Sequence, residues 1–294
     1  MTICIATICE QNTGNPRIVF ASDRLVTDQD GYTFELGVPK IKLLADHCML
    51  MEAGDSFRGD RILEKFRQKV PTMEQANKMK MSEIIETLRL CYHEIFEESI
   101  ETEIFSPRGL TRKSFYEKFS QFPEWYSLMM DFKVEGFNFG VTFIVMGIEI
   151  DQDRKLTMAR LTRFSGRGEP EILDSLGFAM AGIGEKMSFP ELTRQRYSPN
   201  NSLADALVRT YWAKRASERM IGVGPKTDFG LIWVEFDTDS KQLVCKNTLL
   251  EEKVVKEQFD VEFEKTKTAA DSMIESVKGK IDDILKGTKK IESA

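Results

Sequence analysis

The sequence predicts an α+β protein organised as a four-layer αββα sandwich: two antiparallel sheets face to face, with a helix pair over each outer face. Three observations lead there. The predicted elements come in blocks of strands, two helices, strands, two helices, strands, rather than in βαβα alternation, which disfavours a doubly wound parallel sheet. Strands such as ICIATIC (residues 3–9) and FGVTFIVMGI (residues 139–148) are apolar on both faces, as strands covered on both sides must be. Hydrophobic residues make up 41% and charged residues 30% of the 294, a globular balance that excludes a wholly disordered chain.

In order along the chain, residues 2–9 form a nearly unbroken apolar run and predict the first strand. Asn12-Thr13-Gly14-Asn15-Pro16 is a turn signal, and RIVFAS (residues 17–22) is the return strand of a hairpin. Residues 40–44 and 48–53 predict two more strands joined at Asp46 and His47. Helical spacing starts after Gly54 with Phe57, Ile62, Leu63 and Phe66, and Pro71 stops it. A longer helical pattern runs over residues 81–104 through Ile84, Ile85, Leu88, Cys91 and Ile95. Residues 105–136, aromatic-rich and broken by Pro107, Gly109, Pro123 and Gly136, read as an inserted helical excursion or lid. Strands return at 139–149, 155–164 and 179–184. Helices follow at 190–196 and 203–219, then strands at 229–236 and 242–249. The charged segment 251–294 carries Phe259, Phe263, Ala270, Met273, Val277, Ile281 and Ile284 at helical spacing. It predicts a helical extension appended to a domain of residues 1–250.

Composition narrows the function. The net charge of −6 argues against a nucleic-acid partner. No apolar run approaches the roughly 20 residues of a membrane span, and MTICIATICE has neither the basic region nor the cleavage site of a signal peptide. Five unpatterned cysteines fit reduced thiols in a cytoplasmic protein. Two histidines, His47 and His93, exclude a His-rich metal site. GVGPKT lacks the spacing of a phosphate loop, because Pro225 interrupts it, and GIGEKM is no dinucleotide fingerprint.

Thr2 is the first candidate for chemistry. With Met1 removed, its α-amine, of reference pKa about 7.7–8.0, would serve as base for its own hydroxyl. The surrounding segments are IVFASDRLVT, VPKIKLL and CMLMEAGDSFRGDRILEKF. With Thr2, they resemble the proteasome β-subunit family of N-terminal nucleophile hydrolases. That resemblance makes Thr2 the nucleophile, Asp23 of ASDR the aspartate after the second strand, Lys40 of KIKLL the lysine opening the third, and Gly54 of EAGDS the oxyanion-binding glycine. The Lys40-to-Gly54 spacing fits without a gap, and the longer Thr2-to-Asp23 interval is absorbed by the turn over residues 10–16. The resemblance implies that Lys40, as ammonium, keeps the amine neutral, that Asp23 fixes Lys40, and that Thr27 binds substrate backbone as an added strand. The chain departs from the family at Ile183, where a serine is usual. Ser217, Glu218, Thr227 and Asp228 stand in for its auxiliary residues.

The function implied is a threonine-type amide hydrolase or peptidase acting on a peptide or protein, needing no metal or organic cofactor. The resemblance further implies a homo-oligomer, ring-like in that family, and the residues name no unfoldase partner. By the same resemblance Glu52 and Ser56 line the pocket for the side chain preceding the cut, so a carboxylate there predicts cleavage after Arg or Lys over Asp or Glu. Glu52 paired with Arg58 is the alternative. Two other readings keep the fold: a non-catalytic structural subunit or interaction module, favoured by Ile183, and an N-terminal nucleophile acylase for small amides. The start of the chain at its first strand, with no preceding helix, favours the catalytic form.

Overall fold

A computed structural model describes residues 2–27, 33–35, 40–152, 156–238, 240–250 and 265. Residues Met1–Leu249 make one compact unit. The extension expected over residues 251–294 lies, apart from Lys265, outside the described residues.

The first sheet is formed by β1 (Cys4–Cys9), β2 (Arg17–Asp23), β10 (Phe178–Ala181), β11 (Thr227–Asp237) and β12 (Gln242–Leu249), in the order β10-β1-β2-β11-β12. The second has the order β5-β6-β7-β8-β9, from β5 (Ile41–Ala45), β6 (Cys48–Gly54), β7 (Val141–Asp151), β8 (Leu156–Ser165) and β9 (Glu169–Ile172). Every pairing in both sheets is antiparallel. Helices α1 (Ser56–Lys69) and α3 (Met81–Ile100) cover the second sheet, and α6 (Glu185–Arg194) and α7 (Leu203–Ser217) cover the first. The four-layer αββα sandwich follows.

Strand period two explains the layers. Cys4, Ala6, Ile8, Ile18 and Phe20 turn inward and pack between the sheets with Met49, Met51, Ile144 and Met146. Alternate residues turn to the helices: Cys48, Leu50, Phe143 and Val145 meet Ile62, Phe66, Leu88 and Ile95. On the other outer face Thr7 Oγ1 meets Thr210 Oγ1 of α7 at 2.7 Å. Both faces of these strands are dry, so both read as apolar.

Four features depart from the expected elements. A two-stranded ribbon, β3 (Leu25–Thr27) with β4 (Thr33–Glu35), follows β2. A short helix α2 (Met73–Lys78) follows Pro71, capped by Thr72 through Gln75 N–H. The four-residue β9 extends the second sheet. Helix α6 begins at Glu185 and carries Pro190 inside it rather than at its start, at the loss of one ladder bond. The 105–136 segment is helical, with α4 (Arg112–Glu117) and α5 (Glu124–Glu135). It is built round the fully buried Phe115, whose ring meets Phe105, Phe119, Phe122 and Tyr126, and it joins the same core as α3. Among the described residues no helix is long and apolar enough to cross a membrane.

Candidate active site

The ends of three strands and one turn converge on Thr2. Thr2 lies just ahead of β1, Asp23 is the last residue of β2, and Lys40 immediately precedes β5 in the facing sheet. Pairing sets Cys4 opposite Ser22, so Asp23 falls beside the residues leading into β1; its N–H donates to Ile3 O at 3.2 Å. Room for Thr2 comes from Gly182, at φ +102°, where a Cβ would lie 2.3 Å from Thr2 O. No L side chain fits that position.

All three side chains are buried. Thr2 Oγ1 donates to Asp23 Oδ1 at 2.5 Å and accepts from Lys40 Nζ. Lys40 Nζ also donates to Asp23 Oδ1 at 2.9 Å and to Leu25 O at 2.5 Å. Ile3 N–H reaches Asp23 Oδ1 at 3.0 Å, and Gly224 N–H reaches Oδ2 at 2.9 Å. The carboxylate thus accepts four donors, close to its full capacity. A hydroxyl held between a carboxylate and an ammonium is ready to give up its proton and to carry negative charge on oxygen.

The other candidates fall into two groups. Gly54 ends β6 at φ +102°, exposed, where a Cβ would meet Gly140 O at 1.8 Å. Ser56 opens α1 and is exposed, and Thr27 ends β3. Glu52 is buried on the α1 side of β6, its Oε1 without a hydrogen-bond partner and lying where a Cβ on Gly59 would collide with it, at 1.9 Å. Burial, with Asp60 and Asp55 nearby and only Lys42 and Lys40 opposing, pushes its carboxyl up to about 7. Arg58 turns instead to Asp55, Glu103 and the Phe139 carbonyl.

The second group clusters at the end of α7. Ser217 is buried and its hydroxyl donates to Lys214 O at 2.5 Å. Glu218 pairs with Lys214 and Arg215. Thr227 Oγ1 donates to Pro225 O. Asp228 takes Arg24 Nε and Nη2 at 2.8 and 2.6 Å on Oδ1, while its Oδ2 is buried without a partner. None of these four has a hydrogen bond to Thr2. Ile183 lies in the turn between β10 and α6. Sequence reasoning missed the Gly224 N–H and the Leu25 carbonyl, which are backbone groups. Among the described residues no group of His, Cys, Asp and Glu could hold a metal ion.

The four-layer αββα fold is shared with solved structures. The solved structures it resembles are Anbu proteins. An Anbu mutant from Hyphomicrobium sp. strain MC1 superposes with TM-score 0.56 at 14% identity, covering 100% of this chain and 99% of that one. Anbu, an ancestral beta-subunit, from Yersinia bercovieri superposes with TM-score 0.59 at 14% identity, covering 94% and 96%. No protein-family model matches the chain, and no curated protein matches it in sequence. These findings correct the assignment to the proteasome β-subunit family: the structural neighbours are Anbu proteins. Four short motifs round one candidate site do not by themselves fix a family.

Proposed function

We propose that the chain is a threonine-type amide hydrolase acting on peptides, with Thr2 as nucleophile once Met1 is removed. The buried Thr2–Asp23–Lys40 cluster carries this reading. Thr2 Oγ attacks the substrate carbonyl and its proton passes to the Thr2 α-amine. Lys40 remains an ammonium throughout; its charge favours the neutral amine and the developing alkoxide. Asp23 holds Lys40 and Thr2 in register. The Gly54 N–H takes the tetrahedral oxyanion. The C–N bond then breaks, the leaving amine takes the proton back from the α-ammonium, and water hydrolyses the Thr2 ester. Thr27 on the edge of its ribbon binds substrate backbone, and Glu52 with Ser56 forms the pocket for the residue before the cut. Ser217, Glu218, Thr227 and Asp228 support the site from behind, and copies of the chain assemble into a ring-like homo-oligomer in the cytoplasm.

The intact mass of protein from its native host tests the first requirement. Met1 is expected to be absent, and its quantitative retention would rule out the mechanism, since only a free amine can be the base. Thr2→Ala is expected to abolish peptide hydrolysis and reaction with a threonine-directed β-lactone while the fold persists. Ile183, where a serine is usual in the family first resembled, favours a second reading as a non-catalytic module of the same fold. A chain with free Thr2 that reacts with no such electrophile would establish that reading instead.

A further inference from the structure

The mechanism above leaves one wholly buried cation unused. Lys214, in the last turn of α7, has no exposed side-chain surface. Its ammonium has three N–H donors, and all are taken: Glu218 Oε1 at 2.5 Å, Gly224 O at 3.0 Å and Pro225 O at 2.8 Å. Burial presses its pKa down, and Glu218 works against that. A methionine would fill similar volume without the desolvation an ammonium suffers here.

What the charge holds is next to the nucleophile. The two carbonyls it grips belong to Gly224 and Pro225, and the N–H of Gly224 is the donor on Asp23 Oδ2. The turn is pressed so closely on β3 that a Cβ at Gly224 would lie 2.8 Å from Leu25 Cβ. Leu25 in turn gives its carbonyl to Lys40. On the other side, Ser217 donates to Lys214 O, and a Cβ on Gly184 would meet Ser217 Cβ at 2.9 Å. Gly184 N–H donates to Thr2 O at 3.3 Å. One helix end therefore braces both flanks of Thr2.

We propose that Lys214 is a positioning residue of the nucleophile site, pinning the turn at Gly224 and Pro225 so that the Gly224 N–H holds Asp23 in register with Thr2 and Lys40. The catalytic consequence rests on the threonine-hydrolase reading; the effect on Asp23 does not. The charged and titratable groups round Asp23 are Lys40 ahead of β5, Cys4 on β1, the Arg24–Asp228 pair, the Thr2 amine once freed, and Lys214 with Glu218 on α7. Removing Lys214 and Glu218 together leaves the net charge there unchanged, so the remaining effect is that of the turn.

The full chain labelled with [15N]glycine, as wild type and as Lys214→Met/Glu218→Met, tests this by amide hydrogen exchange at Gly224. An amide whose hydrogen bond opens more often exchanges faster. Exchange at Gly224 is expected to rise at least about tenfold, and Thr2 labelling by a β-lactone to slow at least about tenfold as its geometry loosens. Lys214→Gln/Glu218→Gln keeps two donors at position 214 and the same net charge, and is expected to give an intermediate rise; it decides the matter should the first variant not fold. Either variant folded with the wild-type Gly224 exchange overturns the proposal. A wild type with free Thr2 that takes no β-lactone, with Gly224 exchange raised in the variants, removes the hydrolase reading and leaves Lys214 its role.

Discussion

Glu52 is the residue whose ionisation is most open to test. Its carboxyl is raised from 4.5 to about 7 because it is buried beside other carboxylates. The folded chain therefore holds this proton longer than the unfolded chain does. The group's contribution is intact below about pH 4.5 and is lost as pH rises towards about 7. The loss amounts to about 3 kcal/mol by pH 8. Glu52→Gln is expected to be more stable than wild type at pH 8 and no more stable at pH 4, as read from urea unfolding at the two values. The same titration governs specificity. At pH 8 the ionised carboxylate favours Arg or Lys before the cut, and below pH 6 that preference fades. Equal rates after basic and acidic residues at pH 8 on a matched fluorogenic set would remove Glu52 from the pocket. At this scale the candidate site is legible where side chains form it: Thr2, Asp23 and Lys40, which the structure brings together, each stand at a strand end in a short motif. Gly224 and Leu25 act through backbone atoms, which leave no side-chain signature, and Lys214 lies in a helix whose lysine reads as solvated surface until its burial is known.

Among the elements, the junction of β6 and α1 is tightly held. Gly54 must take φ +102° there while its neighbour Asp55 donates its N–H to Gly140 O at 2.8 Å and caps α1 through Arg58 N–H. Gly54→Ala adds left-handed strain and a Cβ 1.8 Å from Gly140 O. We expect it to cost more than about 2 kcal/mol and to displace the oxyanion donor proposed above, so that Thr2 labelling falls further than the stability loss explains. A variant with unchanged thermal midpoint and labelling would show that the junction tolerates a side chain. The long elements were legible because burial on two faces or one stripe fixes their pattern: ICIATIC and FGVTFIVMGI could only be covered strands. The short ones were not. β9 is four residues with a proline in it, and α2 is six residues held by one Thr72 cap. The start of α6 was misread because Pro190, which favours a first turn, lies within the helix and the turn before it had been read as strand.

For the whole molecule the open question is what covers its apolar faces. Helix α5 carries Trp125, Leu128 and Phe132 outward at i, i+3 and i+7, with Trp125 67% and Phe132 73% exposed. An outward stripe of this kind on a helix marks an interaction surface. The sequence sets a second stripe, Phe259 to Ile284, in the extension outside the described residues. Both need burial, and the homo-oligomer proposed above would supply it. The full chain is therefore expected to run as a large assembly in light scattering, and a chain ending at Leu250 as a smaller one. Trp125→Glu/Phe132→Glu separates the two stripes. Because both side chains are largely exposed among the described residues, the variant should fold with close to the wild-type thermal midpoint while the assembly shrinks. An unchanged mass would take α5 out of the interface and leave the extension as its source. A monodisperse 33.7 kDa monomer for the wild type would remove both, and would favour a solitary hydrolase of small amides, whose site needs no chamber.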